Sequence, residues 1–159
     1  MIYSHFYWRI GFQTGLYDLL TPKAYFESIR RMFECIPIAP NSILLDAGCG
    51  SGSIIKYLKS IICEGTYVGI DFLLEGLVDA RIKAEMENIS NRVHLIQSDL
   101  TQPIPMPRNS VDIIIAHFSL YTMDPGKRGF TFKEFRRLLR KGGTFALVEP
   151  SPEYSAKRI

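Results

Sequence analysis

A chain of 159 residues has the length of one domain with room for a genuine core. Hydrophobic residues make up 47% and charged residues 22%, with no long uncharged apolar run, which excludes a membrane-spanning helix; the net charge of +3 is too small to point to nucleic acid. Cys35, Cys49 and Cys63 form no C-x-x-C pair and are odd in number, so a reduced, cytoplasmic setting with no metal centre is expected.

The N-terminus, Met1 to Arg9, lacks a basic segment followed by a continuous apolar core and does not read as a secretory signal. It is dense in aromatics, with Tyr3, Phe6, Tyr7, Trp8, Phe12 and Tyr17. Thr21-Pro22 is a helix start, a hydroxyl at the N-cap and proline at the first helical position, and the helix runs to about Ile36. Residues 1–40 are thus expected to form an N-terminal helical segment, and 41–159 the main domain. Ser42 to Asp46 is a short apolar strand. Ile54, Ile55, Leu58, Ile61 and Ile62 then fall at helical spacing. Tyr67 to Ile70 is a strand ending at Asp71, followed by a helix carrying Leu74, Leu77, Val78 and Ile82 that closes near Asn88. Arg92 to Gln97 is the third strand. Thr101 to Ser110 holds three prolines and must be loop. Val111 to Ala116 is almost wholly apolar, as a strand buried on both faces should be. Phe132, Phe135, Leu138 and Leu139 mark another helix, with Gly142-Gly143 separating it from a strand over Thr144 to Val148. Seven cations gather between Lys127 and Lys141. They read as a solvated outer helix face, with an acidic substrate or partner as the alternative.

Strand and helix alternate throughout, which calls for an α/β fold, a doubly wound parallel sheet with helices on both faces. Right-handed crossovers put the strand C-terminal ends along one edge, where ligands of such sheets bind. That edge collects the Asp46–Gly52 loop, Asp71, Asp99 and His117 to Tyr121. The loop Gly48-Cys49-Gly50-Ser51-Gly52 lets backbone approach a ligand and aims unpaired N–H groups at it. It has no Gly-Lys-Ser/Thr ending, so it is no P-loop, and Ser53 stands where a dinucleotide fingerprint needs Gly or Ala.

D-x-G-x-G-x-G over Asp46–Gly52 resembles motif I of the class I S-adenosylmethionine-dependent methyltransferases, which have a Rossmann-like fold. Tyr67-Val68-Gly69-Ile70-Asp71 is similar to their second strand with its terminal acid, and Gln97-Ser98-Asp99-Leu100 to the acidic position after the third. Ser110 to Ala116 matches the fourth strand. Phe135 to Thr144 matches the run leading into the fifth, with Lys141 where proline is usual. The resemblance spans roughly residues 40 to 150 and implies S-adenosylmethionine as cofactor. Gly48, Gly50 and Gly52 are then expected to lay the loop backbone against its methionine and ribose parts, with Cys49 a small packing residue between them. Asp46 is expected at the ammonium, Asp71 at the ribose hydroxyls, Asp99 and the Leu100 N–H at the adenine, and Phe72 beside the ring. The resemblance also implies that residues 1–40 form a helical lid over the cofactor, with Tyr17 the expected lid contact. Asp112 is expected to be structural.

His117 and Tyr121, just beyond the fourth strand, are the candidates for a base or substrate contact. The N/D-P-P-Y/F run of the family's amino-methylating DNA enzymes is absent; His117-Phe118-Ser119-Leu120 stands in its place. The resemblance therefore implies methyl transfer to a small molecule, with no nucleic acid partner and no stable membrane insertion. The alternative is a cofactor-binding subunit that is non-catalytic or depends on a partner. The family's fold continues past the fifth strand, whereas Ser151-Pro152-Glu153 starts a helix of scarcely two turns before Ile159. The expectation is a sheet truncated after its fifth strand, whose apolar edge a homodimer or another partner covers.

Overall fold

The computed structural model describes residues 10, 11, 19 and 21–150. Helix α1 (Lys23–Cys35) has Pro22 rather than Thr21 at its N-cap and no side-chain cap hydrogen bond. Then follow β1 (Ile43–Ala47), a 3-10 turn (Ile55–Tyr57) and a one-turn α2 (Leu58–Ile61). The sequence leads to a full helix here. The β-branched pair Ile54 and Ile55 is buried instead in a tight turn, because residues 51–55 are enclosed together. Next come β2 (Thr66–Asp71), α3 (Leu74–Met86), β3 (Val93–Gln97), β4 (Val111–His117), α4 (Pro125–Leu138) and β5 (Leu139–Val148). Asn88, at φ 55°, takes the left-handed position that ends α3.

The five strands are parallel in the order β3-β2-β1-β4-β5. Alternation along each strand sends Leu44, Tyr67, Ile113 and Ile115 to the face covered by α1, the 3-10 turn and α3. Leu45, Val68, Ile114 and Ala116 point to the other face, against Phe135 and Leu138 of α4 and Leu100 and Ile104 of the proline-bearing loop. Asp112 works as a brace, its carboxylate accepting from the Ile43 N–H at 2.8 Å and from Arg140 at 2.7 Å.

Helix α4 starts earlier than its apolar spacing shows, at Pro125, where Asp124 caps the Gly126 N–H. It runs straight into β5, so Leu139 is the first residue of the strand and not the last of the helix. Val111 pairs with Leu139 and Ile113 with Thr144, so three residues of β4 face six of β5. The surplus is taken up as a large bulge containing Gly142, at φ 81°, and Gly143, where a Cβ would lie 2.9 Å from the Asp112 carbonyl oxygen. Strands β3 and β5 are the two edge strands of the sheet among the described residues.

Candidate cofactor site

The strand order reverses between β1 and β4, and the loop after β1 lies at that switch point on the carboxyl edge. The Gly48 and Cys49 N–H groups both donate to the Ile70 carbonyl, at 2.7 and 3.0 Å, which folds the loop across the end of β2. Gly48 (φ 82°), Gly50 (51°) and Gly52 (69°) are all in the left-handed region. A Cβ on Gly48 would run into Ser119, whose hydroxyl donates to the Ala47 carbonyl at 2.7 Å. A Cβ on Gly52 would lie 2.8 Å from the Ala80 methyl, so this glycine serves the packing of the loop on α3. Cys49 is buried beside Gly69, and burial pushes its thiol well up, so it is an uncharged packing group.

Asp46 is 3% exposed and accepts from the Tyr67 hydroxyl at 2.7 Å. Burial raises its pKa to about 7, with the Tyr67 hydrogen bond pulling down and Asp71 pushing up. Among the described residues it has no cationic partner. Asp71 ends β2 and spans the loop: one oxygen accepts from the Gly50 N–H and the other from the Leu73 N–H, each at 2.9 Å. Burial raises its pKa too, opposed by those backbone donors. A third backbone group, that of Phe72, also hydrogen-bonds this carboxylate, and of the four lone-pair directions of the two oxygens at least one is left for a ligand. Phe72, next in the chain, is 43% exposed. Asp99 is exposed and accepts from the Thr101 N–H at 2.8 Å, an Asx-type turn, while the Leu100 side chain is buried in the core. Strands β1, β2 and β3 are neighbours; Asp46 is level with Gly69 and Asp71 with Gln97, so each acid lies two residues further along than the one before and the three step diagonally across the edge.

His117 is not open to this edge. It is 5% exposed, with Nε2 at 2.8 Å from the Ser28 hydroxyl of α1 and its ring packed edge-on to Tyr25 at 4.6 Å. Desolvation lowers its pKa to about 4. Nδ1 is buried with no hydrogen-bond partner among the described residues. Tyr121 is 47% exposed at the mouth. Tyr17 and the other N-terminal aromatics lie outside the described residues, as does the segment from Ser151.

Three contributors were missed in the sequence. Tyr67 reads there only as a strand residue, although a phenol buried in a strand must place its hydroxyl somewhere. Ser119 ties the loop after β4 to the end of β1. Glu149, just past β5, accepts from the Leu120 N–H at 2.8 Å, and burial raises its pKa. Its place at a strand's carboxyl end was the available signal.

A parallel sheet with a glycine loop at its switch point and acids closing the neighbouring strands defines a Rossmann-like domain for a nucleoside-bearing ligand. The chain belongs to the methyltransferase-domain family, whose description "Methyltransferase domain" matches residues 45–147, and it is a class I, S-adenosylmethionine-dependent member. It is 32% identical over 121 residues to a tRNA (guanine-N(7)-)-methyltransferase of Rubrobacter xylanophilus, covering 69% of this chain and 52% of the relative. It is 31% identical over 115 residues to the sterol 24-C-methyltransferase ERG6B of Gibberella zeae, covering 72% of this chain and 29% of that protein. Among solved structures, geranyl diphosphate C-methyltransferase from Streptomyces coelicolor A3(2), in complex with Mg2+, geranyl diphosphate and S-adenosyl-L-homocysteine, matches in fold. The TM-score is 0.66 at 20% identity, over 76% of this chain and 44% of that one. This chain thus spans about half or less of the length of these proteins. No helix of the described residues is long and apolar enough to cross a membrane.

Proposed function

We propose that this chain binds S-adenosylmethionine along the row Asp46, Gly48–Gly52 and Asp71, and directs its methyl group to a small-molecule acceptor at the adjoining mouth. The observation that carries the reading is Asp46, a buried carboxyl titrating near 7 with no cation beside it among the described residues. An α-ammonium group is the partner such a carboxyl lacks. The cofactor, when bound, supplies an electrophilic methyl on a sulfonium; the chain's residues supply grip and direction. Asp71 accepts from the ribose hydroxyls with the capacity that the Gly50, Leu73 and Phe72 backbone leaves free. Phe72 flanks the adenine, Asp99 and the Leu100 N–H meet its edge, and the Gly48, Cys49 and Gly50 backbone lines the floor. Tyr17 is kept as the lid contact.

Tyr121, half-exposed next to Glu149, is the acceptor contact we favour. His117 is sealed under Ser28 and Tyr25 and, with a pKa of about 4, is a weak base; it serves to hold α1 against the carboxyl edge. Two observations favour a second reading, an RNA acceptor: exposed cations converge at the far end of the sheet, and tRNA is the acceptor named for the Rubrobacter relative.

Calorimetry with S-adenosylmethionine, S-adenosylhomocysteine and NAD tests the donor site. Both adenosyl compounds bind and NAD does not; tight NAD binding without a response to S-adenosylhomocysteine would overturn the reading. A labelled-methyl assay over metabolites and RNA then separates the acceptors.

A further inference from the structure

At the opposite end of the sheet from the donor loop, a groove of about 990 Å³ runs between α4 and β5. Its cations come from three separate segments. Arg108 comes from the loop before β4, Lys133 and Arg136 from α4, and Arg140 and Lys141 from the β5 bulge. All five are exposed. The one carboxylate lining the groove, Glu134, is already bound to Arg137 at 2.7 Å and to the Ile104 N–H at 2.9 Å. Arg140 shares Asp112 with the β1 edge. Among the described residues, Arg108, Lys133, Arg136 and Lys141 meet no carboxylate. Cations in the last turn of a helix suit its dipole, and that accounts for Arg136. It does not account for a loop and a bulge delivering three more to the same place.

The floor is aromatic. Phe132 is 40% exposed, with Phe145 at 6.0 Å and Phe135 at 6.4 Å between ring centroids. An open ring framed by unpaired cations suits a strand of alternating phosphates and unstacked bases. An acidic peptide would use the cations and leave the ring unanswered. Cellular DNA is mostly paired, whereas RNA loops and ends present free bases, so RNA is the occupant this surface fits. The net charge of +3 conceals the feature, because the acids that balance it lie elsewhere in the chain.

We infer that the groove between α4 and the β5 bulge binds single-stranded RNA, through Arg108, Lys133, Arg136 and Lys141 on phosphates and Phe132 on a base. The inference deepens the RNA reading and rests on it, but it does not depend on the donor site.

The test is fluorescence anisotropy of the full chain with a labelled 12-nucleotide single-stranded RNA of mixed sequence, over a salt series. S-adenosylhomocysteine calorimetry is run on the same samples. With about four phosphates neutralised, the logarithm of affinity should fall against the logarithm of salt with a slope near −3. The double variant K133E/R136E should lose at least about tenfold in affinity while binding S-adenosylhomocysteine as before. Phe132→Ala should lose about fivefold or more with the salt slope kept, and Phe132→Tyr should restore it. No RNA binding at low salt overturns the inference. So does polyglutamate binding as tightly as the RNA with Phe132→Ala without effect, which would assign the groove to an acidic protein. RNA binding intact with S-adenosylhomocysteine binding absent would instead remove the donor reading and leave the groove standing.

Discussion

Asp46 and His117 are buried titratable groups displaced from their ordinary values in opposite senses: the acid up to about 7, the imidazole down to about 4. Their linkage to stability is therefore opposite as well. Asp46 keeps its proton in the folded state while the unfolded chain releases it, so its contribution is present below pH 3.8 and lost as pH rises to 7. His117 stays neutral in the folded state while the unfolded chain takes up a proton, so its contribution is present above pH 6.5 and lost as pH falls to 4. Each amounts to on the order of 3 kcal/mol. Urea unfolding should show the two contributions nearly cancelling between pH 4 and 6.5. Relative to that profile, stability should rise with pH in Asp46→Asn and fall in His117→Asn; parallel profiles for the two variants would show that neither group is shifted. A second prediction separates binding from bracing. Asp71→Ala should weaken S-adenosylhomocysteine binding by about 2–4 kcal/mol, through lost charge-assisted bonds to the ribose. Asp112→Ala should leave that affinity unchanged and instead lower stability by about 1–3 kcal/mol, because the Ile43 N–H and Arg140 lose their acceptor. Equal affinities for wild type and Asp71→Ala in calorimetry would take that carboxylate off the ribose.

At the scale of elements, the donor loop is held by packing as much as by hydrogen bonds. Gly52 is in the left-handed region and its missing Cβ makes room for Ala80 of α3. Gly52→Ala should therefore cost more than about 2 kcal/mol and weaken cofactor binding along with stability, since loop and helix must part. Gly129 is the contrasting case. It lies inside α4, and a Cβ there would meet nothing within 4 Å, so Gly129→Ala should stabilise by about 0.5–1 kcal/mol. Thermal melts of the two variants check both, and a neutral Gly52→Ala would show that the loop can move off α3. The same local detail explains why helical spacing over Ile54–Ile62 does not produce a full helix. The spacing is real, but enclosure of residues 51–55 by loop, sheet and α3 fixes a turn there.

On the scale of the whole molecule, β5 is one of the two edge strands among the described residues, with Leu147 48% exposed. A second apolar feature runs along α3, where Leu74, Val78, Ile82 and Met86 recur every fourth residue and are 49–76% exposed. Such surfaces favour association. Gel filtration with light scattering should find this chain as a dimer or larger. Leu147→Lys should reduce association if the strand edge is responsible, and Ile82→Glu if the helix stripe is. A stable monomer at tens of micromolar would sink the prediction.

The α/β class, the five strands, the glycine loop and the acids at the ends of β1, β2 and β3 were legible in the sequence. Each is written in a short stretch of chain: a buried strand is a run of apolar residues, and a turn that needs positive φ is a glycine. What each side chain meets was not legible, because partners come from distant segments. Only the fold brought Tyr67 to Asp46 and set Ser28 and Tyr25 over His117, turning a candidate base into a buried neutral imidazole. Only the fold turned the Gly142-Gly143 pair from a break between helix and strand into a bulge within β5. It also gathered cations scattered over some thirty positions around one aromatic floor. Local conformation follows from local sequence, but burial and charge environment are set by which segments the sheet order makes neighbours.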